Sequence, residues 1–130
     1  VTTPIWVERT AVLLLHDESI AIHGGASGVR DMGLLESALA RPQNLHAYGE
    51  GNAASLAAAY AFGIIKNHPF VDGNKRAGFL TAALFLEANG LRFVASEADA
   101  VVRTLALAAG EIGEAEFADW LRDNVTEPTG

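Results

Sequence analysis

The chain has 130 residues, a formal net charge of −7 and no cysteine, and half of its residues are hydrophobic. That length suits one domain over residues 1–130 with a single core, and the apolar fraction excludes disordered and fibrous classes. The acidic balance argues against direct nucleic-acid binding, which needs a basic face, while the absent Cys removes disulfides, thiolate metal sites and thiol nucleophiles together.

A chain without Cys fits a reducing compartment, with the cytoplasm as the default. The uncharged apolar run Ala77 to Leu86 is half of the roughly 20 residues a membrane span requires, and no such run reaches that length, so no membrane association is expected. No basic, apolar, small-residue sequence of the secretory type opens the chain.

Helical periodicity dominates, and abundant Ala and Gly suit helices packed at close range, so the expected fold is all-α with about six helices. The first helix should run from about Glu8 to His23, with Val12, Leu15 and Ile20 inward, and stop at Gly24-Gly25. After a loop to Arg30, Asp31 caps a second helix through Leu34, Leu35, Ala38 and Leu39, which Pro42 is expected to end. Residues 43 to 52 read as a connecting loop or small flap.

A third helix from about Ala53 to Asn67 is apolar on almost every side and should be central. Pro69 disfavours the helical region for His68 and forces an exit there. Asp72-Gly73 supplies turn chemistry, and a fourth helix follows from about Asn74 to Ala88, closed by Asn89-Gly90. Leu91 to Val94 reads as a short extended piece, and Ser96 caps a fifth helix that ends near Gly110. The sixth, Glu114 to about Asp123, is amphipathic through Phe117, Trp120 and Leu121, and Thr126 to Gly130 should fray.

The chemistry concentrates in the loop between the two central helices, where residues 68 to 76 read His-Pro-Phe-Val-Asp-Gly-Asn-Lys-Arg. A helix start presents unpaired N–H groups and a partial positive charge, so Lys75 and Arg76 in the first turn have the wrong sign for the dipole, costing about 0.3–1 kcal/mol each. A bound polyphosphate reverses that sign problem. Gly73 permits positive φ and close approach of the amides of residues 73 to 76 to phosphate oxygens. Asp72 suits a hard cation such as Mg²⁺, which takes one or two protein oxygens and completes its shell with phosphate and water, making Mg-ATP the expected ligand class. The imidazole of His68 is placed to take a proton from an attacking hydroxyl, and Phe70 reads as the apolar anchor of the loop. Taken singly, each of these residues has an ordinary structural reading as a cap, a turn or a solvated ion pair. Their order and spacing together favour function.

The run resembles the signature loop of the Fic/Doc superfamily, His-Pro-Phe-x-(Asp/Glu)-Gly-Asn-(Gly/Lys)-Arg, at all eight specified positions. His16-Asp17, the His23-Gly24-Gly25-x-x-Gly28 loop, Asp31, Gly33 and Asn89-Gly90 after Phe85-Leu86 are similar to the Doc, or death-on-curing, branch. The resemblance implies a compact Fic/Doc-like bundle with His68 as general base and Asp72 as Mg²⁺ ligand. It also implies that Gly73 and Asn74 form an anion nest and that Lys75 and Arg76 hold nucleotide phosphates. Lys75 where the AMP-transferring branch usually has Gly, and Phe79 where it has a second Arg, both match Doc. A toxin of a type II toxin-antitoxin system is then implied, one that transfers the γ-phosphate of ATP to a Thr or Ser hydroxyl, in Doc-like members a Thr of translation elongation factor Tu. The alternatives are an AMP transferase using the same base on the α-phosphate, and a catalytically silent binding module. No internal copy of the superfamily's inhibitory helix is found, since Glu50-Gly51 is preceded by His46 where Ser or Thr is needed; an antitoxin acting in trans is expected.

Other candidates are weaker. His16 and His23 lie seven apart on one helical face but lack the carboxylate of a usual zinc motif, and packing or capping is the preferred reading. No Walker-type loop or nucleophile elbow is present. Trp6 and Trp120 read as core or interface residues, and Lys66 as an exposed cation at a helix C-terminus.

Overall fold

Among residues 3–127, which the computed structural model describes, the chain runs α1 (Arg9–His23), α2 (Met32–Ala47), α3 (Ala53–Asn67), α4 (Asn74–Ala88), β1 (Arg92–Phe93), α5 (Glu97–Ala109), α6 (Glu114–Asp123) and β2 (Val125–Thr126). The fold is all-α apart from the small antiparallel pair, in which Arg92 faces Thr126 and Phe93 faces Val125.

α3 is the axis. Leu56 to Ala61 and Gly63 to Ile65 are all buried, as expected of a helix apolar all round, and α4, α2 and α6 pack around it. Small residues set the spacing. A Cβ built on Gly78 would lie 2.9 Å from Ile65 Cγ1 and 3.1 Å from the Ala61 carbonyl, so α4 approaches α3 as closely as backbone allows. α1 lies on α4, and α5 contacts α4 and α3.

The N-terminal segment is tied to this core by backbone bonds. The Val7 N–H donates to the Tyr60 hydroxyl at 3.0 Å, and the Asn89 side chain both accepts from the Ile5 N–H and donates to the Ile5 carbonyl. Trp6 stacks on Phe85 with ring centroids 5.8 Å apart. At the other end Phe79, Phe93, Phe117 and Trp120 form an aromatic cluster, and the Trp120 indole donates to Asp99 at 2.7 Å.

Caps fix the helix starts where the sequence places them. Asp31 accepts from the Leu34 N–H, Asn52 from those of Ala54 and Ser55, and Ser96 from that of Asp99.

Three expectations are corrected. α2 does not end at Pro42 but continues to Ala47. A proline there removes one helical bond and crowds the carbonyl four residues back, at about 3 kcal/mol. Tertiary contacts on both sides of it compensate: Arg41 makes a two-pronged ion pair with Glu114, Pro42 itself is buried, Leu45 packs on the core, and His46 meets Trp6 edge-on. The loop before α3 is therefore only Tyr48 to Asn52. On α1 the fully buried face is Val12, His16 and Ser19, while Leu15 and Ile20 are half-buried. At the C-terminus Thr126 does not fray but pairs with Arg92; residues 128–130 lie outside the described part.

Candidate active site

The loop between α3 and α4 is locked by contacts within the protein itself. His68 ends α3 with φ 54° and ψ 52°, the one non-glycine residue of the described chain with positive φ. Pro69 excludes the right-handed helical region as expected, but the chain leaves through the left-handed one because its carbonyls are held there. Arg30 donates from Nε to the His68 carbonyl at 2.7 Å and from NH2 to that of Asn67 at 2.9 Å, a guanidinium fork on the negative end of α3.

Backbone pairing continues the lock. The Pro69 carbonyl accepts from the N–H groups of Arg30 and Asp31, and Val29 and Phe70 form an antiparallel bridge, followed by Val71 N–H to the Gly28 carbonyl. Phe70 is fully buried and is the anchor expected of it, a burial that stabilises by about 1.5–3 kcal/mol. Asn74, also buried, accepts from the Phe70 N–H at 2.9 Å and donates to its carbonyl at 3.0 Å, so its side chain closes the loop and only its backbone N–H faces outward chemistry.

These constraints gather the residues singled out in the sequence. His68, Asp72, Gly73, Asn74, Lys75 and Arg76 all line one cleft of about 750 Å³. Its other walls are α1 (Leu15, Ser19, Ile22), α4 (Phe79, Leu80) and α5 (Val101, Leu105), with Phe93 between them. The segment read as a flap lies elsewhere: Tyr48, with Lys66 and Phe62, lines a second cleft of about 420 Å³. Lys66 is exposed, 5.7 Å from the Phe62 ring, as its helix-end reading requires.

Within the cleft the chemistry is specific. Gly73 has φ 77°, and the N–H groups of Asn74, Lys75 and Arg76 have no protein acceptor among the described residues. Lys75 and Arg76 are exposed and make no ion pair there, although the chain is acidic and Arg9, Arg41, Arg103 and Arg122 each find a carboxylate. The Asp72 carboxylate accepts from the Gly73 N–H at 2.8 Å through Oδ1 and from the Ala26 N–H at 3.3 Å through Oδ2.

His68 Nδ1 lies 3.4 Å from the Ile65 carbonyl. A carbonyl can only accept, so this contact requires hydrogen on Nδ1 and leaves the Nε2 lone pair as the proton acceptor. For a metal, no three His, Cys, Asp or Glu side chains converge among the described residues. A single carboxylate beside free amides fits a hard cation that arrives with a polyphosphate and takes most of its oxygens from it, not one held by protein alone.

The Fic/DOC family model matches residues 6–86, from before α1 into the last turn of α4, with the whole loop. The chain belongs to the Fic/Doc family. Two relatives share its extent to different degrees. The protein named Protein kinase doc of Escherichia phage P1 is 35% identical over 112 residues, covering 85% of this chain and 88% of that one. Toxin Doc of Mycolicibacterium smegmatis is 44% identical over 75 residues, 55% of this chain and 57% of that one.

Two residues of this Fic/Doc site carry structure that sequence reasoning missed. Arg30 shapes the His68 turn from 38 positions away, and its only sequence signal was a cation beside the Asp31 cap. His16, considered above for metal or packing, is buried against the loop, its ring stacked on Phe70 and its Nε2 2.8 Å from the Asp72 carbonyl. The aromatic setting of Phe79, 5.5 Å from Phe93, puts a hydrocarbon surface in the cleft at the position where the AMP-transferring branch usually has a second Arg.

Proposed function

We propose that this chain is a Doc-type toxin, a protein phosphotransferase that uses Mg-ATP to modify a Thr or Ser hydroxyl of elongation factor Tu and so arrest translation. The observation that carries the reading is the pair Lys75 and Arg76, without carboxylate partners among the described residues, beside the free N–H groups of residues 74 to 76, in one cleft with His68 and Asp72. An acidic chain that leaves two adjacent cations unpaired on a positive helix end has built a strong anion site.

His68 Nε2 takes the proton of the target hydroxyl as its oxygen bonds to the γ-phosphorus. The bond from that phosphorus to the bridging β,γ-oxygen breaks, and ADP departs with the electron pair. Lys75, Arg76 and the free N–H groups of residues 74 to 76 act on the phosphate oxygens, where charge develops, and Gly73, whose own N–H meets Asp72, allows their close approach. Asp72 would hold the magnesium ion, which neutralises phosphate charge when bound. Phe79 supports γ-transfer over AMP transfer, because a hydrocarbon ring offers no second cation to the α-phosphate.

Regulation is read as an antitoxin in trans, an apolar segment of which would cover Ile22, Val101 and Leu105, exposed on the rim of the same cleft. The test is incubation of the purified protein with bacterial lysate and ATP labelled at either the γ- or the α-phosphate. Label from γ alone, lost in His68→Ala with ATP-analogue binding retained, is expected. Label from α would make it an AMP transferase, and neither label nor Mg-ATP binding would make it a binding module.

A further inference from the structure

We propose that His16 is a positioning residue for the Asp72 carboxylate and acts through the Asp72 backbone; the inference rests on the Mg-ATP reading of this loop. His16 is 2% exposed and is not among the residues lining the cleft, so it cannot touch a nucleotide or a substrate hydroxyl. Its ring lies flat on Phe70, centroids 3.8 Å apart and planes 9° from parallel. Its Nε2 is 2.8 Å from the Asp72 carbonyl oxygen, and because that oxygen only accepts, Nε2 carries the hydrogen.

The two contacts grip the loop at both ends of its turn. Phe70 enters the core on one side of Val71, and the Asp72 peptide is fixed on the other. Ile20, one helical turn beyond His16, completes the support, since its Cδ1 lies 3.2 Å from where a Cβ on Gly25 or on Gly73 would stand. Fixing the Asp72 carbonyl fixes the direction in which its side chain leaves the backbone. The carboxylate then meets the N–H groups of Ala26 and Gly73. Phenylalanine at 16 would supply the stacking alone and glutamine the donor alone; histidine supplies both.

The test is titration calorimetry with β,γ-methylene-ATP, with and without Mg²⁺, which reads metal-assisted binding without turnover. Wild type should bind more tightly with Mg²⁺. His16→Phe, which keeps the ring and loses the donor, should lose about tenfold of that enhancement and none of the metal-free affinity. His16→Gln should recover part of it. In an Asp72→Asn background His16→Phe should have no further effect, because the two act in series.

Full retention of the enhancement in His16→Phe, an equal loss with and without Mg²⁺, or multiplying effects in the double variant would each overturn the positioning role while leaving the proposed function standing. A wild type that binds no nucleotide with or without Mg²⁺ overturns both. Should His16→Phe fail to fold by circular dichroism, His16→Gln and His16→Met, alike in length and different in the donor, make the same comparison.

Discussion

Gly25 stands against the Asp72 carboxylate so closely that a Cβ on it would lie 2.7 Å from Oδ2. The loop after α1 therefore forms one wall of the Asp72 position, and residue 25 also has φ +112°, a conformation that side chains resist. Gly25→Ala should destabilise the fold by about 1–2 kcal/mol and displace the carboxylate. Urea unfolding reads the first effect and Mg²⁺-dependent nucleotide binding the second. Unchanged Mg²⁺ dependence would show that the carboxylate works from some other position.

Asn74 satisfies both backbone groups of buried Phe70. Asn74→Ala orphans a donor and an acceptor, at about 1–3 kcal/mol each, and should lower the urea midpoint more than any exposed substitution in the loop. Because the proposed anion nest uses the Asn74 backbone and not its amide, the loss should appear first as stability and only then, through loop disorder, as nucleotide affinity.

Arg30 holds the last carbonyls of α3. Its fork is solvent-exposed, so Arg30→Ala should cost only about 1 kcal/mol globally. Amide exchange at His68, whose N–H bonds to the Ile64 carbonyl, should nevertheless quicken, and turnover should fall more than nucleotide affinity. Arg30→Lys should not restore either, since one ammonium cannot span two carbonyls in the same plane.

Burial pushes the Tyr60 hydroxyl above its ordinary value of 10.0, and the bond from the Val7 N–H opposes this in smaller measure. A raised folded value means that the stability linked to this group is complete below pH 10 and is lost as pH rises through the folded value. Tyr60→Phe should cost about 1–3 kcal/mol at neutral pH by leaving the Val7 N–H unpaired, and the gap to wild type should narrow above pH 10. Thermal unfolding of both proteins from pH 7 to pH 11 reads this; a gap that widens with pH contradicts it.

Legibility in the sequence followed how local the deciding interaction is. α3 and α4 begin and end where the sequence places them because Asn52, Gly73 and the His68-Pro69 pair act within a turn of the boundary. α2 outruns Pro42 because Arg41, Leu45 and His46 find partners on α6, in the core and at Trp6, which no local rule contains. The nine-residue loop stood out by composition and order, and its candidate site residues do line one cleft. The residues that hold it in shape, Arg30 and His16, bond to it from 38 and 56 positions away, and a lone arginine or histidine leaves no periodic trace.

The left-handed turn at His68 has one more implication. A chain under selection for stability alone would carry glycine at 68, since a side chain in that conformation costs about 1–2 kcal/mol. His68→Gly should thus be the rare change that removes the proposed base and yet leaves the protein harder to unfold than the parent, so that loss of the imidazole would carry no penalty in stability.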